Sequence, residues 1–230
     1  VIAEDGLSRN PPLVVELFGQ PGAGKSTVAR AAAENLHAQT RANLGALWKQ
    51  RHILANLLLV GRALFDASCL AQAAALARKA RLWRADSLSR LLRLVIKSHW
   101  LRRQSGILLL EEGHLQDLWS IFYSAGRVDV DPHLISPLIA CLYRGLDARV
   151  VFLDVSADEL VDRIQGRSRG RSRLDRLAEE ELRRQLAVSA QLPRHIVEAA
   201  RMAGLNVQRL DAAPIESTVK LLRDLIPSFH

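Results

Sequence analysis

Scanned for the spacing of apolar and polar positions, the chain divides into short apolar runs separated by longer stretches of helical period. Four runs read as strands: 13–18 (LVVELF), 107–110 (ILLL), 149–155 (RVVFLDV) and 206–210 (NVQRL). The first two are apolar almost throughout, as strands covered on both faces are. A short strand is also expected at 40–44. Helices are expected at 26–37, 48–64, 68–82, 87–103, 114–125, 132–143, 157–165, 174–192 and 214–226. Leu88, Leu91, Leu92, Val95 and Ile96 recur at the three- and four-residue spacing of a buried helix face. Asp131-Pro132 offers an N-cap followed by a first-turn proline. Ser156 and Glu159 form a capping box. Pro193 is expected to kink or break its helix, and Gly204 to end the next one. Strands alternating with helices predict an α/β fold of three layers around a mostly parallel, five-stranded sheet. A ligand then belongs at the C-terminal ends of the strands. The helical stretch 48–103 is long for a crossover between parallel strands and reads as an insert.

One punctuation mark carries chemistry. The first strand runs into Gly19-Gln20-Pro21-Gly22-Ala23-Gly24-Lys25-Ser26-Thr27 and then a strong helix former. This is G-x-x-x-x-G-K-[ST] between a strand and a helix, the context in which the motif cradles phosphates. Its glycines let the backbone approach an anion, and the loop N–H groups and helix N-terminus converge on it. Lys25 supplies a point charge for the β- and γ-phosphates. Ser26 supplies a hard oxygen for Mg²⁺.

Composition narrows the partner. The 230 residues are 49% apolar, which suits one α/β domain, and the net charge is +8. Nearly all cations are Arg, with lysine only at Lys25, Lys49, Lys79, Lys97 and Lys220. That balance favours anionic ligands. Aromatics make up 5% and do not interleave with the basic run, so no nucleic-acid partner is expected. Cys69 and Cys141 show neither metal-ligand spacing nor a disulfide framework, which fits a cytoplasmic location. The opening VIAEDGLSRN does not read as a signal peptide. The most apolar run, 53–60, is too short to span a bilayer. It reads as core, with a membrane-surface or homodimer face as the alternative.

Two further features complete a phosphoryl-transfer site. Glu111 and Glu112 leave the strand 107–110 facing the phosphate loop. One carboxylate there is expected to hold Mg²⁺ and one to take the proton of an attacking hydroxyl, with Glu111 favoured. Arg163 and Arg167 stand four apart on one helix face, and Arg169, Arg171 and Arg173 follow in a loop. Such a lid surrounds a transferring phosphoryl group with cations. Arg41, His114, Gln116 and Arg127 are the candidate acceptor contacts, with Asp117 and the four Trp residues as further candidates. A partly exposed helix position is the alternative for His114. No N-K-x-D guanine motif and no L-S-G-G-Q-like signature occurs.

These motifs together resemble the thymidylate-kinase-like branch of nucleoside and nucleotide kinases. GQPGAGKST is similar to that family's phosphate loop, ILLLEEG to the acidic turn after its third strand, and SAGRVDVDPHLI to the stretch following it. VVFLDVSADELVDRIQGRSRGRSRLD is similar to its fourth strand, helix and lid, and NVQRLDAAPIESTVKLL to its last strand and base-flanking turn. The resemblance implies ATP and Mg²⁺ as cofactors and transfer of the γ-phosphoryl group. It implies phosphate and metal roles for Lys25 and Ser26, and the acidic catalytic place for Glu111, also as a metal ligand. It sets Arg163 and Arg167 over adenine and phosphates, Ala212 and Pro214 beside the base, and Arg41 at the acceptor. The family's Asp-Arg pair is Glu111-Glu112 here, and 48–103 has no counterpart. The expected acceptor is therefore a neutral hydroxyl compound, such as a nucleoside, a sugar or another small metabolite. The expected organisation is one domain, 1–230, comprising a phosphate-loop unit (13–44), an acceptor-binding helical insert (45–104) and the remaining core (105–230) with a lid at about 163–176. The alternatives are a nucleotide-dependent regulator whose insert binds a partner, and a zeta-toxin-like nucleotide-sugar kinase.

Overall fold

The computed structural model describes residues 11–36, 39–41, 61, 66–166, 173–211 and 215–225. Along the chain these form β1 (Leu13–Gly19), α1 (Lys25–Leu36), β2 (Gln39–Arg41), α2 (Ala67–Lys79), α3 (Ala85–Leu101) and β3 (Ile107–Leu110). Then follow α4 (His114–Ser124), α5 (Pro132–Tyr143), β4 (Asp147–Asp154), α6 (Ala157–Gln165) and a 3₁₀ turn (Arg173–Arg176). The chain continues with α7 (Glu179–Ser189), α8 (Gln191–Met202), β5 (Asn206–Asp211) and α9 (Ile215–Leu225). The helix expected at 48–64, the lid residues 167–172 (with Arg167, Arg169 and Arg171) and the turn 212–214 (with Ala212 and Pro214) lie outside the described residues.

All strands pair in parallel, in the order β2-β3-β1-β4-β5. Four of them form the body of the sheet, and the three-residue β2 adds an edge beside β3. Alternation along the strands sorts the core into two layers. Phe18, Val150 and Phe152 face helices α2, α3, α4, α5 and α8. Leu13, Val15, Leu17, Val151 and Leu153 face α1, α6, α7 and α9. Central strands covered on both faces explain the continuous apolar runs. Asp131 caps α5 by accepting the His133 N–H at 2.8 Å, and Ser156 caps α6 through the Glu159 N–H at 3.3 Å. The single helix expected at 174–192 is instead a 3₁₀ turn and α7, parted from α8 at Ala190. Pro193 sits in the first turn of α8 and breaks nothing, because an N–H there has no intrahelical acceptor in any case.

One residue of β1 violates its apolar pattern. Glu16 lies in the central strand with no solvent exposure. Its carboxylate accepts the first three N–H groups of α4, from His114 at 3.0 Å, Leu115 at 2.9 Å and Gln116 at 3.1 Å. The Tyr143 hydroxyl of α5 donates the fourth bond. Helix N-termini leave these amides orphaned and carry partial positive charge, so a carboxylate answers both needs. Burial pushes the Glu16 carboxyl above its ordinary range, and the Tyr143 hydroxyl and Lys97 oppose that rise. Gly113 makes room for the clamp, since a Cβ on it would stand 2.0 Å from the Glu16 carboxylate.

That packing predicts a coupled pair. Gly113→Ala and Glu16→Ala should each destabilise, the second by about 3–5 kcal/mol as a broken buried network. In the Glu16→Ala background the Gly113→Ala cost should shrink by about 1 kcal/mol or more, beyond the few tenths expected of independent sites. Urea unfolding of the double-mutant cycle measures this, and strict additivity would refute the contact.

Candidate active site

The phosphate loop bridges β1 and α1 in a cradle that side chains would close. Gly22 has φ +97° and Gly24 φ +91°, backbone that L residues rarely adopt. A Cβ at Gly22 would also press on Ile164 and Leu160 of α6 at 3.0 and 3.2 Å. Lys25 Nζ donates to the carbonyls of Gly19 at 2.7 Å and Gln20 at 3.0 Å. Ser26 and Thr27 are exposed at the mouth, whereas Ala23 and Gln20 are buried and Pro21 half-buried. Arg163 of α6 lies against the same loop, donating to the Ala23 carbonyl at 3.3 Å and pairing with Glu159. The fold therefore brings together Lys25, Ser26 and Arg163. Their donor set of backbone amides, an ammonium, a hydroxyl and a guanidinium fits a nucleotide phosphate chain with its divalent cation.

The acidic pair follows β3, the neighbour of β1, at the same end of the sheet. Glu111 is half-buried. Glu112 keeps contact with solvent, yet partial loss of its water shell pushes its carboxyl above the ordinary range. Asp117 and Glu111 add to that rise, and Lys97 and Lys25 oppose it. Glu112 thus shares an electrostatic field with the phosphate-loop lysine.

Lys97 was not legible as a functional residue. It stands on α3, its side chain 6% exposed, donating to the Glu112 carbonyl and to Asp117 Oδ2 at 2.9 Å. A cation on α3 thus braces the turn that carries the acidic pair. A buried lysine is rare enough to be a signal, but in the sequence it looked like the polar edge of an amphipathic helix.

The remaining candidates separate. His114 is neither partly exposed nor open to an acceptor. Its ring is fully buried against Tyr143, 5.1 Å between centroids. Burial first, then Lys97 and Arg102, hold its pKa far below the imidazole range, so the ring stays neutral. The Gln116 side-chain oxygen is buried without a hydrogen bond, while its N–H serves Glu16. Arg127 is exposed on the turn after α4. Arg41 ends β2 in register with Leu110, one residue before the acidic pair. Trp119 is core, stacked on Tyr123, Trp83 is 61% exposed, and Trp48 lies outside the described residues.

A cavity of about 440 Å³ opens at the C-terminal ends of β4 and β5 beside Gln20, with Asp154, Ser156, Arg194, Arg209 and Asp211 in its wall. Arg209 pairs with Asp154 at 3.0 Å across it. None of His114, Gln116 and Arg127 lines it. No helix among the described residues is long and apolar enough to cross a membrane.

The sequence matches no protein-family model and no curated protein. Similarity is found in solved structures. Deoxyadenosine kinase from M. mycoides with bound dATP is 17% identical, with a TM-score of 0.50 over 94% of this chain and 100% of that chain. The YorR protein from Bacillus subtilis, in complex with phosphorylated GDP, is 12% identical, with a TM-score of 0.50 over 92% of this chain and 94% of that chain. Shikimate kinase from Bacteroides thetaiotaomicron is 17% identical, with a TM-score of 0.49 over 93% of this chain and 97% of that chain. None of these singles out the thymidylate-kinase-like branch. At these identities the likeness is one of fold alone, the fold this chain shares with the deoxyadenosine kinase and the YorR protein.

Proposed function

We propose that this protein is an ATP-dependent phosphotransferase that moves the γ-phosphoryl group to a hydroxyl of a small molecule. The observation that carries the reading is the meeting, at one end of β1 and β3, of a phosphate cradle with an acid that feels its lysine. Bound Mg·ATP supplies the phosphoryl group and the metal's charge. Lys25 would leave the Gly19 and Gln20 carbonyls to hold phosphate oxygens, and Ser26 would offer its hydroxyl to the metal. Arg163 places a guanidinium at the loop, where charge gathers in the transition state. Glu112 accepts the proton of the attacking hydroxyl, and Glu111 serves as the outer metal carboxylate. This exchanges the roles expected from sequence, because Glu112 is the acid whose charge is tied to Lys25. Lys97 holds the turn in place from behind.

The expected activity is testable without knowing the acceptor in advance. Wild-type protein with Mg·ATP and a panel of nucleosides, sugars and other hydroxyl metabolites should yield a product heavier by one phosphate in mass spectrometry. Lys25→Ala should abolish that product and weaken nucleotide binding. Glu112→Gln should lower kcat by about 10²-fold or more with little change in nucleotide affinity. Equal turnover in wild type and Lys25→Ala would overturn the reading.

The pH dependence follows from the charges around Glu112. A base with a raised pKa loses activity as pH falls through that value, so the acid limb should lie above the ordinary glutamate range. Lys97→Met removes a cation that holds the carboxyl down and should move the limb to higher pH. Asp117→Asn should move it lower. Rates scaled down equally at every pH would instead mark Lys97 as structural only.

A further inference from the structure

The chain's only two cysteines are far apart in sequence, Cys69 on α2 and Cys141 on α5. In the fold they meet. A carboxylate oxygen of Asp66 and the sulfur atoms of Cys69 and Cys141 all lie within 4.8 Å of one another. The pocket they share is closed, with Cys69 fully buried, Cys141 6% exposed and the Asp66 side chain 7% exposed. A third helix, α3, adds His99, whose Nε2 stands 3.2 Å from Asp66 Oδ2. That nitrogen is buried and faces the carboxylate at ion-pair distance.

We propose that Asp66, Cys69, Cys141 and His99 form a structural site for a thiophilic divalent cation, Zn²⁺ being the natural occupant. The donor set of two sulfurs, an imidazole and a carboxylate is what tetrahedral Zn²⁺ takes. Bonds of about 2.0–2.3 Å put tetrahedral ligand atoms about 3.3–3.8 Å apart. The cysteine and aspartate atoms need only contract modestly, and His99 swings Nε2 from Asp66 Oδ2 into the fourth place. The two oxygens of Asp66 divide the work. Oδ1 takes the Cys69 N–H at 3.1 Å, capping α2, and Arg144 at 3.2 Å. Oδ2 lies by His99 Nε2 at 3.2 Å, Arg144 at 3.3 Å and Arg102 at 3.7 Å, and as the oxygen that faces the imidazole it is the one that turns to the metal. Metal binding displaces the two thiol protons, so the cluster keeps its net charge. Arg102 and Arg144 then retain the partner they already have. The site ties α2, α3 and α5 together behind the kinase site and does not depend on the proposed activity.

Cobalt(II) titration of the reduced, chelator-treated full-length protein tests this. A sulfur-to-cobalt charge-transfer band should appear, together with the d–d bands of tetrahedral cobalt, and Zn²⁺ should displace both. A divalent ion at the phosphate loop would have oxygen ligands and give no such band. Cys69→Ser and Cys141→Ser should lose charge-transfer intensity. Asp66→Asn keeps a good N-cap, and so the start of α2, but should weaken cobalt binding by about 10-fold or more. Folded wild-type protein with both thiols reduced and no charge-transfer band would overturn the site. So would a band that survives both cysteine substitutions.

Discussion

The buried carboxylate of Glu16 is the constraint on which the arrangement of this molecule rests. It sits on the central strand, three residues before the phosphate loop opens, and it holds the first turn of the helix that follows the acidic pair. Hydrogen bonds to a charged acceptor contribute about 1.5–3 kcal/mol each, against several kcal/mol for taking the carboxylate out of water. The clamp therefore adds little net stability, but breaking it strands either a charge or three amides. Its consequence is geometric. The loop bearing Lys25 and the turn bearing Glu111 and Glu112 hang from one hydrogen-bonded unit, and the separation between them is set by β1, Glu16 and α4.

Around that unit the cations come from two directions. Arg163 reaches the phosphate loop from α6, on one side of the sheet, through the Ala23 carbonyl. Lys97 reaches the acidic turn from α3, on the other side, through the Glu112 carbonyl and Asp117. Helix α3 is thus more than a cover for the sheet. It supplies a buried charge at the acidic turn. Lys97 is held there by protein oxygens, the Glu112 carbonyl and Asp117 Oδ2.

The parts of the fold that follow from local pattern could be read directly from the sequence. The buried runs of β1, β3 and β4, the cap at Asp131 and the glycines of the phosphate loop each depend on neighbours a few residues away. What could not be read is long-range pairing. Glu16 finds its partners 98 to 127 positions on. Lys97 and His99 are likewise polar positions of an amphipathic helix, and Asp66 a plain N-cap, until tertiary packing turns them inward. The cysteines looked isolated because their separation in sequence hides their contact. One signal was available, since a carboxylate inside LVVELFG has to be answered by donors. His114 was misplaced for the same reason, because α4 turns it beneath Tyr143 and away from the site.

First-turn amides of a helix ordinarily face water and exchange by fraying, because no carbonyl of their own helix accepts from them. Native-state hydrogen exchange at the amides of His114, Leu115 and Gln116 therefore tests the clamp most directly. Protection approaching that of the β1 amides, lost at all three when Glu16 is replaced by Ala while β1 stays protected, is the result expected. Rapid exchange at these three amides in the wild-type protein, as in an ordinary frayed helix start, would contradict the account.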